Sequence, residues 1–293
     1  MARQIYEAIA DGILVGGVYA LMAVGLTLIF GVLDIINIAQ GVLVILGAYL
    51  SYSLATKAHI DLFVGLLITV PAMFVIGTAI HWLFIRRLRD RERVSMTLLV
   101  TYAVALIVEG ILYSIYGPNY VELNASYVTS SVHLLGFYLP YIYIYGFILA
   151  VVLVLALYLL LYRSRFGRSV RATMQDETSA RLVGIDVNRV SAVTFGIGVA
   201  VTAVGGMVYG ATSGGFNPNS GYDLISRLLA IIILGGLGSI GGALAASVFM
   251  LTLESLVDVW SPNWAIVVFY AALVLVLVIR PTGFLGRKAV RAQ

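Results

Sequence analysis

The chain has 293 residues, of which 61% are hydrophobic and 11% are charged, and its formal net charge is +4. Globular domains are about 25% charged. A soluble core of this size could not hide so much apolar surface, so we predict a membrane protein. The positive charge is confined to short clusters, which argues against a basic face for nucleic acid. The chain contains no Cys, which excludes disulfides, a thiol nucleophile and a cysteine metal site.

The N-terminal segment carries Arg3, Glu7 and Asp11, and no small-residue cleavage site follows the first apolar run. We therefore expect an uncleaved first span rather than a signal peptide. Stretches without charged residues predict the spanning helices, because about 20 apolar residues cross a bilayer and lipid offers backbone groups no partner outside a helix. These stretches are residues 12–33, 35–56, 62–85, 94–108, 123–162, 190–222, 228–253 and 259–279.

Basic residues give the predicted orientation, because they collect on the cytoplasmic side of membrane proteins. All of the 18 Lys and Arg residues except Arg3, Lys57 and Arg227 lie in three clusters. We predict an all-α, multi-pass protein of the plasma (inner) membrane, with its C-terminus in the cytoplasm and its N-terminus outside. It has about nine spans, or eight if one short segment is re-entrant. The clusters are residues 86–93, 163–189 and 280–291.

A glycine-rich run at residues 235–242 predicts a break between a short span ending near Leu237 and a second span starting at Ala243. The segment around Asp34 has the same out–in–out pattern, and residues 31–36 align weakly with residues 235–240. Parallel repeats of this kind are common in transporters. We expect one membrane domain over residues 1–293, with residues 1–140 and 141–293 as candidate halves; chance similarity is the alternative.

The outer segment, residues 117–140, is polar and rich in Tyr. It fits an interfacial aromatic belt with a capping loop, or a docking surface for an external protein, and both can hold together.

No catalytic constellation is visible, so we expect a pore subunit rather than an enzyme, with no cofactor. The three His residues are far apart in the sequence, so no metal site is expected, and the glycine run lacks the Gly-Lys-Ser/Thr ending of a phosphate-binding loop. Six ionisable residues lie near the membrane. Interfacial solvation explains five of them, which are Asp34, Asp223, Arg227, Glu254 and Asp258. The sixth, Glu109, lies deepest, about two turns from the outer end of its span.

The second cytoplasmic loop, residues 163–189, predicts a short helix outside the membrane. Asp176 and Glu177 suit its N-terminus, Ala180 lies on an apolar side with Leu182 and Val183, and Gly184 suits its end. Such a short helix is marginal alone. It should therefore dock onto a partner, or lie as an amphipathic helix on the lipid surface.

Four segments resemble branched-chain amino-acid ABC transporter permeases of the LivH type, in chain order and over nearly the whole sequence. The first is GLTLIFGVLDIINIAQGVLVILGAY at residues 25–49, and the second is the loop containing ARLVGI at residues 180–185. The third runs from residue 217 to LLAIIILGGLGSIGG at residues 228–242, and the last is RPTGFLGR at residues 280–287.

The resemblance implies import of leucine, isoleucine, valine or related small amphipathic molecules; urea or short amides are the alternative cargo. It implies a second, LivM-like permease or a second copy of the chain, two ATP-binding subunits and an extracytoplasmic solute-binding protein. It also implies that the loop at residues 163–189 couples to the ATPase. The coupling residues would be Asp176, Glu177, Ala180, Arg181 and Gly184.

Two departures from the family pattern affect what carries over. Gln40 and Val42 flank Gly41, where the family commonly has His and Glu. Thr178 and Ser179 precede Ala180 where the family has Glu-Ala-Ala, so Ala180 and Gly184 carry over most directly. These departures bear on the cargo more than on the class of transporter.

Two segments are the candidate translocation path, and the repeat would place them at equivalent depths. Asn37 and Gln40 are three residues apart and would share a helix face. Uncharged amides suit a pore that must release its cargo, because a buried charge would hold a zwitterion. The alternative is that both amides hydrogen-bond between packed helices. The path residues are Asp34, Asn37, Gln40, Gly41, Gly235, Gly236, Gly238 and Ser239.

Two other classes of protein compete with an ABC permease. An ion-coupled secondary transporter needs ionisable groups at mid-depth, and the sequence offers at best Glu109. A membrane-embedded enzyme or structural subunit would need a reactive cluster, which the sequence does not display.

Overall fold

The computed structural model describes residues 2–88, 93–134 and 137–286. Over these ranges the chain is helical apart from one short antiparallel ribbon, so the predicted all-α, polytopic membrane fold is confirmed. The helices are α1 (Ala2–Leu33), α2 (Gln40–Lys57), α3 (Leu62–Leu83), α4 (Arg93–Tyr116), α5 (Ser126–Thr129), α6 (Tyr141–Arg163), α7 (Arg165–Gln175), α8 (Glu177–Leu182), α9 (Val187–Thr212), α10 (Ser220–Gly235), α11 (Ile240–Asp258) and α12 (Pro262–Ile279). The strands are β1 (Ser131–Leu134) and β2 (Phe137–Pro140), and a 3-10 turn covers Ile85–Arg87.

Among the described residues, seven helices are long and apolar enough to cross a membrane. They are α1, α3, α4, α6, α9, α11 and α12. The other two bundle helices, α2 and α10, have 18 and 16 residues and do not meet this measure. The exact count of eight or nine spans therefore stays a prediction.

The core of the bundle is built around α1 and α9, which are buried over most of their length. α1 packs mainly against α11 and α9, and α9 also packs against α3 and α2. In contrast, α4 and α12 are mostly exposed, as expected of helices that face lipid or another subunit.

A second, smaller core lies where α1, α6, α7 and α9 meet. It contains Leu28 and Val32 from α1, Leu161 from α6, Val170 from α7 and Val190 from α9. Since α7 contributes Val170 to this core, the first part of the loop at residues 163–189 is packed against the bundle.

The Tyr-rich outer segment is more ordered than the loop that the sequence predicts. Val121 and Phe216 exchange two backbone hydrogen bonds of 3.0 and 2.9 Å, which join this segment to the chain between α9 and α10. The ribbon then pairs Ser131 with Pro140 and Leu134 with Phe137. Its use as a docking surface for an external protein stays a prediction.

Candidate translocation path and coupling surface

The first chain break separates α1 from α2 at residues 34–39. Asp34 adopts a φ of 53°, which is uncommon for a residue other than Gly, and its side chain is exposed. Ile35 and Ala39 are 1% exposed, so the break is largely inside the protein, and Asp34 is its most exposed residue.

Asn37 and Gln40 lie together, fully buried, at the start of α2. Asn37 Nδ2 donates to Gln40 Oε1 at 2.9 Å, and Gln40 Nε2 donates to Thr202 Oγ1 in α9. Thr202 Oγ1 in turn donates to the carbonyl of Gly198 at 2.7 Å. Asn37 Oδ1 is also buried and accepts no hydrogen bond from the part of the chain that the structure describes. The amides thus tie the first break to α9 and leave one acceptor free.

Gly41 lies where α2 crosses the first turn of α10. A Cβ at this position would collide with the carbonyl oxygen of Gly221 and come within 2.8 Å of the backbone nitrogen of Ile225. Only a glycine permits the two backbones to approach this closely.

The second chain break is the glycine-rich segment between α10 and α11. It lies where the sequence predicts it but is shorter, because α10 already ends at Gly235 and α11 begins at Ile240. The expected limits at Leu237 and Ala243 are wrong because Gly236 and Gly238 adopt φ of 94° and 80°, and Ser239 Oγ caps α11 by accepting from Gly242 N at 3.1 Å.

The closing segment after α12 completes this second break. Phe284 N donates to the carbonyl of Leu234 at 2.7 Å, and Leu285 N donates to that of Gly235 at 3.1 Å. These bonds satisfy carbonyls that the end of α10 leaves unpaired within the helix.

Gln40 and the second break meet α1 at different levels. Gln40 bonds to Thr202, which lies against Gly25, whereas Gly238 lies against Gly31, 3.7 Å from a Cβ built there. Six residues of helix separate Gly25 from Gly31, a rise of about 9 Å. The expectation from the repeat, that the two breaks lie at equivalent depths, stays a prediction.

The short helix predicted in the second cytoplasmic loop is present as α8. Asp176 caps it, since Oδ1 accepts from Thr178 N at 2.8 Å and Oδ2 accepts from Ser179 Oγ at 2.7 Å. The Ser179 bond, with the backbone bonds, lowers the pKa of Asp176. Gly184 ends the helix with a φ of 85°, and Ile185 N donates to Ala180 O at 3.0 Å.

The faces of α8 differ from the expected single apolar side. Ala180 is 2% exposed and faces the protein, whereas Leu182 and Val183 are 82% and 76% exposed. Arg181 bonds Glu177 at 2.6 Å along the helix. The expectation is wrong because α8 is too short to bury three apolar residues that are not aligned along one face.

Helix α7, which supports α8, is not predicted from the sequence pattern. Ser164 Oγ caps α7 by accepting from Gly167 N at 2.9 Å, and Val170 and Thr173 point inward. Met174 Cε lies so close to Gly31 that a Cβ there would collide with it. The serine cap and the three-residue spacing of the buried pair are the signals that could have revealed this helix.

The ionisable residues of the spans are not all solvated at the interface. Arg227 Nη1 donates to Glu254 Oε2 at 2.7 Å, with side chains 22% and 14% exposed, and the guanidinium lies 5.5 Å from the Phe269 ring centroid. Interfacial solvation is therefore wrong for this pair, which joins α10 to α11. Glu109, 8% exposed, accepts from Tyr222 OH at 2.6 Å.

The remaining carboxylates agree with the expected interfacial solvation. Asp34, Asp223 and Asp258 are exposed. No group of His, Asp and Glu suited to a metal ion occurs within residues 2–88, 93–134 and 137–286.

Comparison with known families decides the class. The family described as branched-chain amino acid transport system / permease component matches residues 8–277. The chain belongs to this family. No solved structure matches it.

Named relatives agree over almost the full length. The chain is 30% identical over 300 residues to the high-affinity branched-chain amino acid transport system permease protein BraD of Pseudomonas aeruginosa, covering 97% of this chain and 96% of BraD. It is 31% identical over 305 residues to LivH of Salmonella typhimurium, covering 96% and 95%. A shorter match, 29% over 139 residues, joins it to LivM of the same organism, covering 47% of this chain and 32% of LivM.

Proposed function

We propose that this chain is a pore-forming permease subunit of an ABC importer for branched-chain or similarly small amphipathic amino acids. The names of the relatives support the cargo class, and the near-complete coverage of both BraD and LivH supports the same role for the whole chain. The observation that carries the proposal is α8, a capped helix that leaves Leu182 and Val183 exposed.

In this proposal α8 is the contact with an ATP-binding subunit. Leu182 and Val183 expose about four-fifths of their surface, and adjacent apolar side chains this exposed indicate a surface that is buried against a partner. Asp176 and Gly184 cap the two ends of α8, and the Glu177–Arg181 ion pair stabilises it. Ala180 packs it against the rest of the protein. The helix can therefore move as a unit and pass a displacement to the bundle without unfolding.

The transmission runs from α8 through α7 to the two chain breaks. Met174 in α7 touches Gly31 at the end of α1, and Gly31 lies against Gly238 in the second break. A displacement of α7 therefore reaches both α1 and the start of α11. These breaks are the parts of the bundle without helical hydrogen bonds to resist such movement.

The path in this proposal follows the two breaks. Asn37 offers Oδ1 as a buried acceptor for the ammonium group of an amino acid once the helices part. Gln40 and Gly41 lie beside it, where backbone carbonyls of α10 come close. Near the end of α1 the proposed path passes Asp34 and the glycine break of Gly235, Gly236, Gly238 and Ser239.

The proposal includes a second permease, two ATP-binding subunits and an extracytoplasmic solute-binding protein. LivH and LivM of Salmonella typhimurium are both named as permease proteins of a high-affinity branched-chain amino acid transport system, and this chain is similar to each. This supports pairing with a LivM-like permease rather than with a second copy of this chain. The basic clusters would face the cytoplasm with α8, and the N-terminus would lie outside.

Reconstitution in vesicles tests this function. With its ATP-binding subunits and binding protein, the chain should take up radiolabelled leucine only when ATP is supplied. Leu182→Asp should abolish uptake and release the ATP-binding subunits, since a buried carboxylate would face an apolar groove. Thr178→Ala is the control, because it alters an exposed side chain of α8 and keeps the apolar pair.

Three results would contradict the proposal. Leucine uptake driven by an ion gradient without ATP would favour a secondary transporter. Uptake of urea or short amides in place of leucine would change the cargo. An unaffected Leu182→Asp variant would favour the alternative in which α8 only lies on the lipid surface.

A further inference from the structure

An apolar groove opens on the exposed side of α3 and α6. Its volume is about 400 Å³, and Ile148 and Val152 in its wall are each 54% exposed. Both helices are among those long and apolar enough to cross a membrane, and the groove opens on the outside of the bundle, where lipid would lie. Its lining residues are Phe63, Tyr127, Tyr145, Ile148, Leu149 and Val152.

The groove lies within the depth of one leaflet. It begins beside the first turns of α3 and α6, which place its mouth at the membrane interface. From Tyr145 to Val152, the first and last lining residues on α6, the helix rises about 10 Å, less than half of the hydrocarbon thickness of about 30 Å. The upper part of an acyl chain in one leaflet fits this length, whereas the groove is too apolar for an amino acid.

A carboxylate is fixed at the mouth of the groove. Asp61 Oδ1 accepts from Phe63 N at 2.9 Å, and Oδ2 accepts from Tyr127 OH at 2.8 Å, so two lining residues hold it in place. Burial and the bond to Asp61 raise the pKa of Tyr127, which keeps its hydroxyl a donor. Asp61 is itself exposed, and exposed Lys57 precedes it in the same turn of the chain.

We propose that this groove binds a phospholipid whose headgroup ends in a primary ammonium. One acyl chain would fill the groove, the ammonium would bond Asp61, and Lys57 would face the phosphate. The argument is charge complementarity, because the carboxylate attracts an ammonium and repels the headgroup of an anionic lipid that has none. This inference is independent of the cargo and of the ATP-driven cycle.

Photo-cross-linking in the assembled transporter tests the site. The probe is phosphatidylethanolamine with a diazirine in its acyl chain, in vesicles of phosphatidylcholine. Adducts should map to residues 145–152, and excess unlabelled phosphatidylethanolamine should remove them while the same amount of phosphatidylglycerol should not. Val152→Trp fills the groove and should abolish labelling. Val151→Trp is the matched control, since Val151 is 50% exposed on the same helix but lies outside the lining.

Asp61→Asn separates the headgroup contact from the groove. The amide oxygen can still cap α3, so the helix should persist. Labelling should remain, but the preference for phosphatidylethanolamine over phosphatidylglycerol should fall about tenfold, the effect of one charge-assisted hydrogen bond.

Three outcomes would overturn the inference. Equal labelling of Val152→Trp and the unaltered chain would mean ordinary annular lipid. Equal competition by both lipids in the unaltered chain would remove the role of Asp61. Labelling of the isolated chain that disappears on assembly would mean that another subunit covers the groove.

Discussion

At the scale of single residues, the Arg227–Glu254 pair makes the clearest energetic prediction. The pair is partly buried, so removing one partner leaves the other charge poorly compensated. We expect Arg227→Met to lower the free energy of unfolding in detergent by about 2 kcal/mol. Adding Glu254→Leu should recover most of this loss, because the unpaired carboxylate is then gone.

The control for the ion pair is Asp258→Asn, since Asp258 is exposed at the end of the same helix. It should change the unfolding free energy by less than about 0.5 kcal/mol. Chemical unfolding of Arg227→Met, Glu254→Leu, the double variant and Asp258→Asn measures the coupling. Strictly additive losses in the double variant would show that the two charges do not interact.

Asn37 and Gln40 allow a prediction that separates packing from transport. Gln40→Leu leaves Asn37 Nδ2 buried without its acceptor and should cost about 1–3 kcal/mol. Replacing both residues with Leu should cost less, because no donor is left unpaired. We expect the double variant to assemble but to lose leucine uptake, since the path has lost its amides. Full uptake would remove both residues from the path, and failed assembly would assign them to packing.

The sequence could predict which polar residues are exposed, but not which polar residues contact each other. The exposed positions of Asp34, Asp223 and Asp258 follow from their places at helix ends. Arg227 and Glu254 lie on different helices, so their contact depends on how α10 and α11 pack. The bond from Gln40 to Thr202 spans 162 positions and is invisible to any local pattern.

At the scale of elements, the contact between α7 and α1 should control coupling. In the Gly31→Ala variant the added methyl group would collide with Met174 Cε and displace α7 from the end of α1. We expect ATP hydrolysis to continue while leucine uptake falls about tenfold. Met174→Ala in the same chain should restore uptake, because it removes the colliding group.

Parallel assays of ATP hydrolysis and uptake in vesicles check this coupling prediction. Gly110→Ala is the control, because nothing lies within 4 Å of a Cβ at that position. If Met174→Ala fails to rescue Gly31→Ala, the damage is to the α1 backbone and Met174 does not carry the motion.

The elements differ in how far sequence could predict them. Uncharged apolar runs located α3 and α12 to within a few residues, since the bilayer sets their length. The runs at residues 94–108, 123–162 and 190–222 overlap α4, α6 and α9, but each differs from its helix by eight or more residues at one end. The same criterion fails for α7, whose composition is basic and whose burial comes from neighbouring helices. The observed start of α11 differs from the predicted one because Ser239 caps the helix, and a prediction based on glycine positions alone does not take this cap into account.

At the scale of the whole molecule, burial separates two kinds of helix. α1 and α9 form the centre, while α4, α6 and α12 present apolar surfaces outward. Hydropathy does not distinguish these groups, because lipid-facing and buried helices are both apolar. Sequence could therefore predict that the helices exist, but their order around α1 follows from side-chain packing.

The orientation of the whole bundle gives the final prediction. Because basic residues stay on the cytoplasmic side, single cysteines at Gln175 and Ala292 should resist an impermeant thiol reagent in intact cells and react after permeabilisation. Cysteines at Tyr120 and Trp260, which are 72% and 56% exposed at the opposite end, should react without permeabilisation.

The background is clean because the chain has no Cys of its own, and the cysteine-free chain is the control. Ala292 lies outside the described residues, so Gln175, exposed at the end of α7, is the structural reference for the inner side. If Gln175→Cys reacted in intact cells, the orientation of the bundle would be the opposite of the predicted one. Helix α8 would then lie outside the cell, where no ATP-binding subunit could reach it.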